Sequence, residues 1–285
     1  MISTPKAILY DVNGNVLVGQ QTMAASVPVT MASNQPAISV TFTEGSSVTG
    51  VSSSIRTLGG ATANTLIKME ATTYTEPAAQ AQRSFSSASA SDTAAGTGAR
   101  TIRFTYFDNV GAGPFTEDVI LNGTTAVNTV ASDIRFVEKI FVLTAGSSGA
   151  NAGVITMFNA TGGGGGTLGT IGTANILTGV GDNQTLWAHH YTPANFIVQL
   201  ATLVVSAQSG GSGTSARFFL RVAAPLVANS AEVLVNDIIL TSGAFSRSFD
   251  FHTLISGFSR ITGFAIPAVN NATLTLAFDW SESPS

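Results

Sequence analysis

The sequence predicts an all-β protein, a C-terminal, jelly-roll-like β-sandwich preceded by an extended N-terminal β-arm. Three observations carry this expectation. Apolar and polar residues alternate with a period of two in segment after segment, as in Thr101-Ile102-Arg103-Phe104-Thr105-Tyr106-Phe107. Clusters of Gly, Asn and Ser punctuate those segments. No stretch repeats apolar residues at i, i+3, i+4 and i+7 over three turns, so neither helices nor βαβ crossovers are expected.

The first zone, residues 1–43, is the arm. Ala7–Tyr10 and Val16–Val18 read as short strands joined through Asn13-Gly14, a strong hairpin signal. Val27-Pro28-Val29-Thr30-Met31 and Ile38-Ser39-Val40-Thr41-Phe42 also alternate as strands do. Pro28 and Pro36 lack the N–H that a ladder needs, which places these pieces at edges or over another surface. So few large side chains cannot form a private core. The interaction residues expected of this docking arm are Val27, Pro28, Val29, Met31, Ile38, Val40 and Phe42.

Residues 44–99 form a connector rich in Ser, Ala, Thr and Gly. Its clearest tract is Ser84-Phe85-Ser86-Ser87-Ala88-Ser89-Ala90-Ser91. Such composition suits a flexible linker, or small side chains packed along a neighbouring subunit. Residues 100–285 are the sandwich. The expected strands are Thr101–Phe107, Phe115–Leu121, Ile134–Leu143, Gly153–Phe158, Thr185–Tyr191 and Phe196–Val205. Ala216–Val222, Glu232–Leu240, Phe249–Phe251, Ile261–Ile266 and Thr273–Trp280 complete the set.

Composition narrows the function. Hydrophobic residues make up 44%, enough for a core, but charged residues only 10%, against roughly 25% in average soluble domains. Low charge suits surfaces that end against other subunits, where an unpaired ion is costly. A net charge of -4 with scattered Lys and Arg argues against nucleic-acid binding. With no cysteine, disulfides and thiolate chemistry are excluded. The first residues lack the build of a signal peptide, and no apolar run approaches the roughly 18 residues a membrane span requires. The expectation is a chain made in a cytoplasm and not inserted in a membrane.

Each candidate for chemistry has a simpler reading. Gly162–Gly166 lacks the lysine and helix of a phosphate loop and suits a hairpin tip. His189 and His190 are adjacent on a strand and point to opposite faces, so they do not share a metal. One of them could still meet its copies around a metal on a symmetry axis. Asp250 and His252 share a strand face without a nucleophile elbow. A glycosidase would need two converging carboxylates, for which Glu117, Asp118, Asp182, Asp237, Asp250 and Asp279 are the candidates. Tyr74, Tyr106, Trp187, Tyr191 and Trp280 are the candidate platforms for sugar rings. The expectation is no enzyme, no cofactor and no resident metal.

The segment Ser26–Val40, with Val27-Pro28-Val29 and Ala32-Ser33-Asn34-Gln35, resembles a phrase found in tailed-bacteriophage virion structural proteins. Here Asn34 stands where Asp is common, and Pro36 where a small residue is usual. Gly113–Asp118 and Asp182–Tyr191 lie in a zone that also resembles phage structural proteins. The resemblance implies a head-decoration, neck, tail or baseplate component, localised to the virion and docked on other virion proteins through its N-terminal part. It also implies a symmetric homo-oligomer, with a trimer as first expectation. Host-surface glycan binding by a fibre module is the alternative, and polysaccharide degradation the third.

Overall fold

The computed structural model describes residues 9–10, 16–17, 48–57, 64, 66–70, 72–173, 183–209, 212–225, 232–241, 246–270 and 272–285. The chain divides into two compact units, Met1–Glu44 and Gly45–Ser285. In the first, β1 (Leu9–Tyr10) pairs antiparallel with β2 (Val16–Leu17), with Leu9 opposite Leu17. Val27, Pro28, Val29, Met31, Ile38, Val40 and Phe42 of the expected docking arm lie outside the described residues.

The second unit is all-β, and its strands surround two hydrophobic cores. Around the first core, β11 (Thr167–Ile171), β10 (Ile155–Phe158), β5 (Ser84–Ser87) and β8 (Val127–Asn128) form one sheet in that order. The partner sheet is β7 (Phe115–Ile120), β6 (Ala99–Phe107) and β9 (Phe136–Ala145). Period-two alternation turns Ile102, Phe104 and Tyr106 of β6 inward to meet Phe85, Met157, Phe136 and Ile140. Each fully buried aromatic or aliphatic side chain there contributes about 1.5–3 kcal/mol.

Around the second core, β12 (His189–Tyr191), β18 (Arg260–Pro267), β15 (Ala216–Ala223) and β16 (Val233–Leu240) are neighbours in that order. β4 (Ile67–Lys68) also pairs with β18. The facing sheet is β17 (Ser246–Ser256), β13 (Phe196–Ser209), β19 (Thr273–Pro284) and β3 (Val48–Thr57), and β14 (Ser212–Gly213) folds back on β13. Strand β13 carries a device that the alternation rule does not foresee. Its register slips between Leu200 and Thr202 against both neighbours. Val198 and Leu200 face the core before the slip, and Leu203, Val205 and Ala207 after it. Without the slip, one of these sets would face away from the core.

Two expectations need correction. Residues 100–285 do not build a single sandwich alone, because two cores share the unit. Nor is 44–99 a free connector, since β3, β4 and β5 all belong to sheets. Strand β3 runs alongside β19 from Thr57 opposite Thr273 to Val48 opposite Glu282. Strand β5 lies between β10 and β8 with Phe85 fully buried. Small Ser side chains tolerate such an interior position, which composition alone cannot distinguish from a linker. Among the described residues, no helix is long and apolar enough to cross a membrane.

The low-complexity tract is organised by one carboxylate. Asp92 is fully buried, and its Oδ1 accepts the N–H groups of Ala99 (2.7 Å) and Ala152 (2.9 Å). Its Oδ2 accepts the Ser87 hydroxyl (2.5 Å) and the Gly153 N–H (2.9 Å). Gly98 permits this approach, since a Cβ there would lie 2.0 Å from Asp92 Oδ1. Asp92→Ala would leave three backbone donors unpaired, two of them buried. Urea denaturation is expected to show a loss of about 3 kcal/mol. A loss below about 0.5 kcal/mol, the range of ordinary surface changes, would show that the carboxylate does not organise the loop.

Candidate functional site

The most concentrated chemistry in the described residues lies along β12, between the two cores. Trp187 and Tyr191 belong to the first core and Ala188 to the second, so this short segment is buried on both faces. Gly169 makes room for it, because a Cβ there would lie 2.6 Å from the Trp187 ring.

His190 is the ionic centre. Its Nδ1 lies 2.7 Å from Glu138 Oε1 of β9, and its Nε2 lies 2.8 Å from Glu282 Oε1 of β19. Its ring stacks on the Trp280 indole at 3.8 Å and 15°. Both nitrogens face carboxylates, an arrangement suited to the imidazolium. Burial works against the charge, but Glu138 and Glu282 outweigh it and raise the His190 pKa to about 9. Glu138 responds in the opposite sense. Burial pushes its carboxyl up, and the two histidines with the Tyr191 N–H more than reverse this, leaving it below its ordinary value.

His189 points to the other face, among Tyr74, Trp187 and Tyr191. Its Nε2 donates to the carbonyl oxygens of Val137 and Glu138, each 3.1 Å away, and its Nδ1 lies 3.2 Å from Glu70 Oε1. Glu138 therefore holds one histidine through its backbone and the other through its side chain. The same Glu70 oxygen pairs with Lys68 Nζ at 2.7 Å. Burial raises the Glu70 carboxyl, while His189 and Lys68 together bring it below its usual value. Farther along, the Tyr191 and Tyr74 hydroxyls are 2.7 Å apart. Burial is the largest cause of the upward shift of both phenols. Glu76 continues the network to Arg260, which also reaches Glu232 at 3.2 Å.

The other candidates are placed as follows. Neither histidine is available for an axial metal, because both are buried and engaged within this chain. No group of three or more metal-ligating side chains occurs among the described residues. Gly162–Gly166 forms the tip between β10 and β11, with Gly162 and Gly166 at positive φ in open space. Glu117 caps the N–H groups of Val130 and Ala131, and Asp118 and Asp237 form two-point pairs with Arg103 and Arg217. Asp182 lies outside the described residues, as do the side chains of Asp250 and His252. Tyr74, Tyr106, Trp187 and Tyr191 are buried and cannot serve as sugar platforms, while Trp280 is half-buried under His190. A shallow depression of about 330 Å³ between residues 110–113 and 193–196 has no titratable lining side chain.

Sequence reasoning identified the two histidines but missed Glu70, Glu138 and Glu282. The available signal was a single acid, Glu138, inside the apolar run Ile134–Leu143. Chemically, the arrangement is a saturated ionic clamp that fixes β9, β12 and β19 against one another. Carboxylate–imidazolium pairs of this kind orient strands through their directional bonds more than they stabilise them.

No protein-family model matches the chain. No curated protein matches it either. Among solved structures, it is similar to the T=1 particles derived from infectious bursal virus, with 11% identity and a TM-score of 0.25 over 84% of this chain and 70% of that one. The Gx strain of infectious bursal disease virus gives 11% identity and a TM-score of 0.24, over 84% of this chain and 76% of that one. Likenesses this distant fix neither topology nor function.

The ionic clamp has a defined pH response. The folded pKa of His190, about 9, stands above its ordinary value of 6.5. Its stabilising contribution is therefore complete below about pH 6.5 and is lost as pH rises through about 9. Glu138 contributes above its ordinary value of 4.5, and its share is lost in acid as pH falls through its depressed pKa. Urea midpoints measured from about pH 5 to 10 should fall on the alkaline side, and His190→Gln should flatten that limb at a cost of about 3 kcal/mol. An alkaline limb unchanged in the variant would remove His190 as its source.

Proposed function

We propose that the chain is a non-enzymatic structural component of a tailed-phage particle, forming a symmetric oligomer docked on other virion proteins through residues 1–43. The observation that carries this reading is where its chemistry goes. His189, His190, Glu70, Glu138 and Glu282 are spent inside the chain on holding strands, while among the described residues apolar edge strands stay open at the surface. An assembling part needs rigid geometry and unpaired edges. The resemblance of Ser26–Val40 to tailed-phage virion proteins supports the same reading, and the 10% charged content suits surfaces covered by neighbours. A trimer is the first arrangement to test. The glycan-binding alternative gains no support from Tyr74, Tyr106, Tyr191 and Trp187, all of which are buried.

Antibody raised against the purified chain, used to gold-label intact particles, is expected to decorate one symmetric zone. Quantitative mass spectrometry of the same particles should find a fixed copy number. Absence of the chain from washed, infectious particles would overturn the proposal.

A further inference from the structure

Arg83, at the start of β5, is only 2% exposed. A guanidinium carries five N–H groups, and those on both terminal nitrogens of Arg83 are spent on neutral acceptors. Nη1 donates to the carbonyl and side-chain oxygens of Asn159, and Nη2 to the carbonyls of Ala79 and Ile134. The remaining N–H, on Nε, is buried and finds no acceptor among the described residues. Arg135 directly follows Ile134, so the two cations are neighbours. The half-buried Arg135 guanidinium lies 4.5 Å from the centroid of the Phe136 ring, and its Nη1 is likewise buried without an acceptor.

Neither arginine pairs with a carboxylate among the described residues, whereas Arg103, Arg217, Arg221 and Arg260 each do. Asp133, two residues before Arg135, interacts instead with the Tyr106 phenol, which burial and Asp133 push up to about 12. Burial and the like charge of Arg135 hold the Arg83 pKa down, at about 10, which still leaves it charged at neutral pH. Two adjacent cations away from water, with no counter-charge, are costly. Two unpaired N–H groups add to that cost.

We propose that Arg83 and Arg135 together hold a small monatomic anion, chloride under ordinary conditions, through Arg83 Nε and Arg135 Nη1. The hydrogen-bond inventory selects this class of ligand. A carboxylate or phosphate is best held by two parallel N–H bonds from one guanidinium, and Arg83 has a single N–H left to give. A halide accepts single N–H groups from any direction. Burial of Arg83 also keeps out a side chain from another molecule. The ion supplies the negative charge that this part of the chain lacks. It secures the arginine that ties β5 to Ile134, 51 positions away, and to Asn159, 76 positions away at the base of the glycine tip.

The test measures the melting temperature of the full-length chain as sodium chloride replaces sodium gluconate at constant ionic strength, together with the chloride NMR linewidth. Chloride is expected to raise the native melting temperature by about 5 °C, the effect of a ligand at about 30 times its dissociation constant. The native chain should also broaden the chloride line. Arg135→Leu keeps an apolar side chain against Phe136 and removes one of the two charges, so it should abolish both effects. Arg103→Gln, which removes an exposed arginine held by Asp118, should leave both intact. A chloride response in Arg135→Leu equal to that of the native chain would place the ion elsewhere and overturn the proposal. So would a native chain indifferent to chloride, which would assign the two N–H groups to water.

Discussion

The second unit depends on a short strand buried on both sides. In most sandwiches a strand gives one face to a core and the other to water. The segment Trp187–Tyr191 gives alternate residues to two different cores, so both must agree on its position to within a side chain's width. Apolar packing alone is poorly directional. The direction comes from His190, whose two nitrogens point at carboxylates on strands of the two different cores.

That choice has a cost that explains the surroundings. An imidazolium in the interior is tolerable only when its partners are charged and close, and a carboxylate there needs donors on both oxygens. Glu138 meets this by accepting from His190 on one oxygen and from the Tyr191 N–H on the other. Asp92 solves the same problem elsewhere with backbone donors and a serine. Both sites place a lone acid among small or apolar residues, and both tie together segments distant in sequence, across 60 residues or more for Asp92 to Ala152 and Gly153.

Much of the fold was legible because strand alternation is local. Every strand expected between Thr101 and Trp280 has a counterpart, from β6 to β19. What stayed hidden was non-local. The tract Ser84–Ser91 has a linker's composition, yet Phe85 within it is fully buried, and the reason lies in β10 and β8 on either side. The register slip near Ala201 was concealed because Leu200 and Leu203 look out of phase until the strand is allowed one extra residue. At the candidate site the histidines stood out as rare residues, but Glu138 and Glu282 lie 52 and 92 positions from His190. No spacing rule links them.

Strand β3 has a consequence for timing. It covers the edge of a sheet whose neighbouring strand, β19, lies 216 to 234 residues downstream, between Thr57–Thr273 and Val48–Glu282. Closing so long a loop is slow, and during synthesis at roughly 5–20 residues per second β3 has no partner for many seconds. A ribosome-bound chain thus cannot finish its second core early. The first core, whose buried residues lie between Tyr74 and Tyr191, can therefore close before the second.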